Sequence, residues 1–305
     1  MYKRLRIWLF VLLGTLFTSS SLLAEGLITM TTSRTVGGII SLRIDANGDI
    51  TIEGVKETLQ TEDRVVYYTL TSQTITIRGD VTRFDCSDNQ LTSLDVSKNT
   101  ALTDLDCFNN QLMSLDVSKN TALKELECSS NQLTNLDVSD CTVLTMLNCS
   151  ENQLTSLDVS KNIILKELYC SSNQLTSLDV SNNTFLTKLN CCCNQLTSLN
   201  VSGCTILTQL DCFNNQLTSL NLSKNIFLTQ LDCFNNQLTS LDISKNTALT
   251  KLVCSSNQLT SLDVSKNIAL KDLWCRNNQL TSLDVSKNTA LTTIECDNIP
   301  LTSNP

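Results

Sequence analysis

From Val81 to the end of the chain, apolar and polar positions recur on one 21-residue frame without a slip. The frame reads L-x-x-L-x-C-x-x-N-Q-L-x-x-L-D-V-S-K-N-x-x. Ten full copies begin at Val81, Leu102, Leu123, Leu144, Leu165, Leu186, Leu207, Leu228, Leu249 and Leu270, and a partial copy begins at Leu291. Each copy holds one half-motif twice, L-x-x-L-x-C-x-x-N and then L-x-x-L-x-V-x-x-N. In the copy from Leu102 the apolar set is Leu102, Leu105, Cys107, Leu112, Leu115 and Val117. Leu105-Asp106-Cys107 and Leu115-Asp116-Val117 alternate with period two, which predicts two short extended segments per coil joined by tight turns. A fixed period of this length predicts a mainly β solenoid whose units pack only on their neighbours. Six apolar side chains do not offset the entropy of ordering 21 backbones, so a coil is stable only when adjacent coils share burial and hydrogen bonds.

Two asparagine columns explain the turns. Asn110, Asn131, Asn152 and Asn173 belong to the first, where stacked amides satisfy backbone groups that the turning chain leaves unpaired. The second runs through Asn99, Asn120, Asn162 and their later equivalents, with Cys141 and Cys204 filling its two gaps. Eleven of the fifteen cysteines form a further column, among them Cys107, Cys128, Cys149 and Cys170. Side chains on adjacent in-register strands point the same way about 4.8 Å apart, whereas a disulfide needs Cβ atoms about 3.8 Å apart. This geometry favours a reduced packing ladder over partial bridging or metal ligation. Cys192 and Cys193 stand apart. They are expected outward on the strand and in the following turn, as semi-exposed thiols, a strained vicinal disulfide or an intermolecular link.

The L-x-x-L-x-C-x-x-N-x-L pattern identifies the chain as a member of the leucine-rich repeat proteins. The string LTSLDVSKNTALTDLDCFNNQ, the 21-residue length and the doubled half-motif resemble bacterial surface repeats of the internalin J type, which carry a cysteine ladder. The resemblance covers residues 81–305. It implies a curved right-handed coil with parallel strands, export from the cell, and binding of protein or glycan on host or neighbouring-cell surfaces. Known surface members usually end in a wall-sorting or secretion domain, and this sequence stops at Pro305 inside a repeat.

The first 80 residues do not repeat. Residues 1–24 read as a secretory signal peptide, with Lys3, Arg4 and Arg6 before the apolar run Ile7 to Phe17 and cleavage after Ala24 or Ser21. The run is shorter than the roughly 20 residues of a spanning helix, which favours removal over an uncleaved anchor and leaves no transmembrane span in the mature chain. Residues 25–80 read as a small β-rich cap covering the open end of the solenoid, rather than an independent binding module. Asn47-Gly48 predicts a hairpin between Ile39–Asp45 and Asp49–Val55, and a second strand pair is predicted at Arg64–Thr71 and Gln73–Arg78.

Composition then narrows the function. The chain has no histidine, which excludes histidine bases, Ser-His-Asp and Cys-His catalysis and histidine metal sites. Its formal net charge of -8, which deepens when the basic leader is removed, disfavours both nucleic acid and anionic membranes as partners. Every carboxylate belongs to a ladder rather than a convergent site, so no enzyme activity and no cofactor are expected. Outward positions of the second half hardly change: Asp95, Asp116, Asp137 and Asp158 recur with their serines. Calcium would relieve the repulsion of that column. Serine hydrogen bonds and nearby lysines do so without a metal, and Asn200 and Asn221 keep the shape without the charge, so no metal site is assigned. Outward positions of the first half vary freely, and specificity is written where sequence varies. The candidate ligand-binding residues there are Phe108, Tyr169, Phe213, Phe234 and Trp274 with Asp106, Asp211 and Asp232. The expected function is non-enzymatic: a secreted or cell-surface protein, or a periplasmic one, that serves adhesion or host interaction. The alternative is a structural matrix or biofilm component that self-associates through the regular face.

Overall fold

A polypeptide can make two reversals every 21 residues only if the backbone groups exposed at each reversal find partners. In a computed structural model of the chain, which describes residues 26–60 and 64–302, asparagine side chains supply them. Asn194 donates through Nδ2 to the carbonyls of Cys170, Cys191 and Cys192 at 3.0, 3.2 and 3.1 Å, and its Oδ1 accepts the Leu175 N–H at 3.0 Å. Asn110 does the same toward Cys86, Cys107 and Phe108 and accepts from Leu91. Asn131 and Asn173 hold equivalent sets, and Asn152 donates to Cys149 and Ser150. The residue just before each ladder asparagine turns left-handed, from Asn109 at φ 49° to Asn277 at 55°, and this reversal aims the amide inward.

The second column works differently. Asn183 donates to the carbonyls of Val159 and Asn162, at 3.0 and 2.9 Å, while its buried Oδ1 makes no hydrogen bond among the described residues. Asn225, Asn246 and Asn267 repeat that pattern. The slot asks only for a donor. A thiol meets that demand, and Cys204 Sγ donates to the Val180 carbonyl at 3.4 Å.

The chain divides into two compact units, one up to Leu144 and one from Thr145. The first holds β1 (Leu27–Thr32), β2 (Ile39–Ala46), β3 (Thr51–Glu53), β4 (Val55–Gln60), β5 (Val66–Leu70), β6 (Thr74–Arg78), β7 (Val81–Asp85), β8 (Leu91–Asp95), β9 (Asp104–Asp106) and β10 (Glu125–Glu127). One sheet runs β3-β6-β1-β8, all antiparallel. The other runs β4-β5-β2-β7-β9-β10, antiparallel as far as β7 and parallel beyond it. Between them lie Ile28, Met30, Ile40, Leu42, Leu70, Ile75 and Ile77 of the N-terminal cap against Val81, Phe84, Leu91 and Leu94 of the first coil.

The cap therefore covers both open edges of that coil, β2 pairing on β7 and β1 on β8. This arrangement overturns the two expected hairpins. β2 and β3 flank the Asn47-Gly48 turn yet lie in different sheets, and so do β5 and β6. The reason is that two edges on opposite sides of one coil need strands at once, so each short connection arches across the core instead of folding back. Gly54 serves one such crossing: at φ 87° it accepts the N–H groups of Thr71 and Ser72, and a Cβ there would strike the Thr74 carbonyl oxygen. The sequence reading missed β1 and β4. The predicted leader at residues 1–24 lies outside the described residues.

In the second unit the short strands at Met146–Asn148, Glu167–Tyr169, Lys188–Asn190, Gln209–Asp211, Gln230–Asp232, Lys251–Val253, Asp272–Trp274 and Thr293–Glu295 pair in parallel, each residue opposite the one 21 positions later. The inward set is dry, as in the coil of Leu186, Leu189, Cys191, Leu196, Leu199 and Val201. Second-half segments are tied more sparsely, by Gln N–H to Leu carbonyl bonds such as Gln195 to Leu175, with a parallel bridge between Asp179 and Asn200 and a strand pair of Leu283–Asp284 on Leu301–Thr302. The described residues contain no helix and no disulfide.

Two outcomes follow from the ladders. Asn194→Ala strips four buried hydrogen bonds and should destabilise the protein by about 3–5 kcal/mol in urea denaturation, whereas Asn183→Cys should cost only about 1 kcal/mol. Thiol alkylation of the native protein should reach only the half-buried Cys193 and Cys296, with the other thirteen cysteines labelled after unfolding.

Candidate binding face

Within each unit the first-half strands turn their outward side chains to one side of the sheet. The residue following the central leucine of each strand is used locally before it is offered to any ligand. Asp106 Oδ1 accepts the Phe108 N–H at 3.0 Å and Asp232 Oδ1 accepts the Phe234 N–H at 3.1 Å, while Asp211 Oδ2 accepts from Gln209 Nε2 at 2.8 Å. All three aspartates are half-buried. Burial pushes the Asp106 carboxyl up to about 6; the Phe108 bond opposes the rise, and neighbouring Asp85 and Glu127 add to it. Asp232 is also pushed up, by burial and by Asp211. On the second-half face the column behaves oppositely. Asp95, Asp116, Asp158, Asp179, Asp242, Asp263 and Asp284 are held below the usual carboxylate range by hydrogen bonds from the serine two residues on. Asn200 and Asn221 accept the same bond.

The five expected aromatics separate into three situations. Phe108 is exposed in the first unit. Tyr169 does not project freely: its hydroxyl donates to Glu167 Oε2 at 2.7 Å, and Glu167 Oε1 meets Lys188 Nζ at 3.0 Å, which ties the ring into a half-buried network. Phe213, Phe234 and Trp274 converge in the second unit. With Asp232, Val253, Ser255, Arg276, Asn277 and Glu295 they line a hollow of about 340 Å³.

The repeat explains how the hollow forms. Phe213, Phe234, Ser255 and Arg276 occupy one column, and Asp211, Asp232, Val253, Trp274 and Glu295 occupy the column beside it. Ser255 is a short side chain between two long ones, so the column dips there. Trp274, 40% exposed, and Phe234, 36% exposed, wall the dip, and the Arg276–Glu295 ion pair at 3.5 Å closes one rim. Arg276 belongs to the variable outward positions that the sequence marks, whereas Val253, Ser255, Asn277 and Glu295 were not picked out from sequence. The signal is present in the variable columns, but it appears only when adjacent copies are read side by side for size as well as for aromaticity.

Cys192 lies in the same column as Phe213 and is buried rather than semi-exposed. Small side chains sink there, as Ser129, Ser150 and Ser255 do. Burial pushes its thiol up to about 12. Cys193 fills the left-handed turn position at φ 54° and accepts from Asn214 Nδ2, and both residues are thiols.

The solved structure of the functional domain of InlJ from Listeria monocytogenes, which includes a cysteine ladder, matches 75% of this chain at 39% identity with a TM-score of 0.62. The chain is a leucine-rich repeat protein similar to that Listeria domain. It spans 56% of the length of that Listeria domain. A leucine-rich repeat protein of Leptospira interrogans (22% identity, TM-score 0.57, 72% of this chain and 73% of that one) shares the fold. So does the plant peptide hormone receptor RGFR1 in complex with RGF2 (21% identity, TM-score 0.56, 68% of this chain and 41% of that one). No protein-family model and no curated protein matches the chain. Among these leucine-rich repeat relatives, the inward columns are what a common fold requires, and the outward first-half columns are where this chain differs from copy to copy.

The raised Asp106 carboxyl gives a signed pH effect. Its folded pKa of about 6 exceeds the roughly 3.9 of an unfolded chain, so the folded state holds the proton more tightly. The stability tied to that proton is complete below about pH 4 and is lost as pH rises through about 6. Asp106→Asn keeps the cap on Phe108 and removes the charge. It should stabilise the protein by about 1 kcal/mol at pH 7.5, after solvent screening, and leave it nearly unchanged at pH 4, as read by thermal melts at the two pH values.

Proposed function

We propose that the chain is a non-enzymatic binding protein that takes a protein or glycan ligand on its first-half face, centred on the hollow of Phe213, Phe234, Trp274 and Arg276. The observation that carries this reading is the convergence of three aromatic rings and an arginine on one dip of the ladder. Aromatic and arginine side chains dominate the energetics of protein recognition, and flat rings also suit the apolar faces of sugars. The second-half face supports no such reading, because its aspartates are engaged in serine caps at coil after coil. Asp232 lines the hollow and sets the polarity of its rim, while Asp106, Asp211, Phe108 and Tyr169 are not among the lining residues.

The reading includes export through residues 1–24 and a role in adhesion or host interaction at the cell surface. The likeness to the InlJ functional domain supports it.

The test is a combined glycan and protein binding array with the purified chain, followed by the same measurement on variants. Phe234→Ala with Trp274→Ala should weaken binding to the selected ligand by roughly 100-fold, since each anchor contributes about 1–2 kcal/mol or more. Both rings are exposed, so the melting temperature should move by no more than about 2 °C. Phe213→Ala with Phe234→Ala should behave alike. Undiminished binding by both pairs would remove the face from consideration.

A further inference from the structure

A second surface lies at the edge where each coil leaves its second half and enters the next first half. The last two residues of each 21-residue copy form this turn, directly after the buried Asn or Cys slot. In four full copies the pair is simply Thr-Ala, at Thr100-Ala101, Thr121-Ala122, Thr247-Ala248 and Thr289-Ala290, so the turn itself needs no bulky side chain. In the second unit the same positions carry Ile163, Phe185, Ile206, Ile226, Phe227 and Ile268, which are 54, 53, 38, 49, 54 and 61% exposed. The 21-residue register places Ile163, Phe185, Ile206 and the Ile226-Phe227 pair on four successive coils, and Ile268 two coils further on, beyond Thr247-Ala248. At about 4.8 Å per coil the first four make an apolar line on the order of 14 Å long.

Charge follows the apolar line. The molecule is acidic, yet the aspartate column is interrupted at Asn200 and Asn221, in the coils that carry Ile206 and the Ile226-Phe227 pair. The stretches Asn200–Gln209 and Asn221–Gln230 contain no carboxylate at all. Exposed lysines flank the line: Lys224 in a coil that has lost its aspartate, Lys161 and Lys266 beside Asp158 and Asp263, and Lys166 and Lys271 at the starts of the following first halves. Scattered exposed apolar residues are ordinary on a protein surface, but a row over four successive coils, two of which have lost the aspartate of their column, is not.

We infer that this edge docks on an anionic lipid–water interface, with the isoleucine and phenylalanine tips entering the headgroup boundary and the lysines meeting lipid phosphates. The apolar side chains stand out as tips rather than lining a groove, and a deformable interface accepts such tips without a preformed complementary pocket. The flanking cations, Lys224 above all, match a negatively charged surface. A second copy of this chain would instead set lysine against lysine.

Co-sedimentation with vesicles of phosphatidylcholine mixed with phosphatidylglycerol, compared with phosphatidylcholine alone, tests the inference. The full chain and its variants carry the same N-terminal segment, so the difference between them reads the edge. Ile226→Ser with Phe227→Ser should lower the partition onto anionic vesicles roughly tenfold. Lys224→Gln with Lys266→Gln should lower it several-fold, and its effect should vanish when salt shortens the screening length from about 10 to about 3 Å. The variant pair Phe234→Ala with Trp274→Ala should partition like the parent, because its rings lie on the other face. Equal partition of the parent and both edge variants overturns the inference. So does a parent dimer in sedimentation velocity that dissociates in the Ile226→Ser, Phe227→Ser variant, since the edge would then belong to a second copy.

Discussion

The fold depends on the satisfaction of backbone groups at a reversal made twice in every coil. Hydrophobic burial alone would hold leucines together in many registers, since leucine packs on leucine with little preference. The ladder asparagines remove that freedom. An amide that donates to carbonyls of its own coil and of the coil before, and accepts an N–H across the turn, holds both coils in one relative position. Buried amides left unpaired by a slip would each cost about 1–3 kcal/mol, so the register is exact because the polar groups, not the apolar ones, enforce it.

That rigidity separates two kinds of position. Inward columns are uniform because each side chain meets a copy of itself 21 residues away, and the cysteine column is one more small apolar filler whose thiols burial keeps protonated. Outward columns are free of this demand. The second-half face spends its freedom on serine caps that depress its aspartates. The first-half face varies, and its hollow arises from a short serine among phenylalanine, tryptophan and arginine. The apolar edge arises in the same way at the coil boundary, where Thr-Ala suffices for the turn and larger residues are an addition.

The N-terminal region meets a constraint that the repeats never face. Inner coils pair on both sides, but the first coil presents two open edges at once. β1 and β2 each close one, and the intervening chain arches between sheets to serve both. Asn47-Gly48 is as strong a local hairpin signal as a sequence offers, and it was overridden because a hairpin would close one edge and leave the other unpaired.

The amino-acid sequence by itself determined the period, the inward and outward assignment of each repeat position, both asparagine columns and the reduced character of the cysteine ladder. All of these follow from contacts between a residue and its equivalent 21 positions on, a separation visible in the chain. Tertiary structure decided what depends on unlike neighbours: the pairing of the cap strands, the burial of Cys192, the capture of Tyr169 by Glu167, the clustering of Phe213, Phe234 and Trp274 with Arg276, and the split between raised and depressed aspartates. Periodicity tells which way a side chain points. Whether it stands free, sinks or binds its neighbour depends on the sizes and charges packed around it in three dimensions.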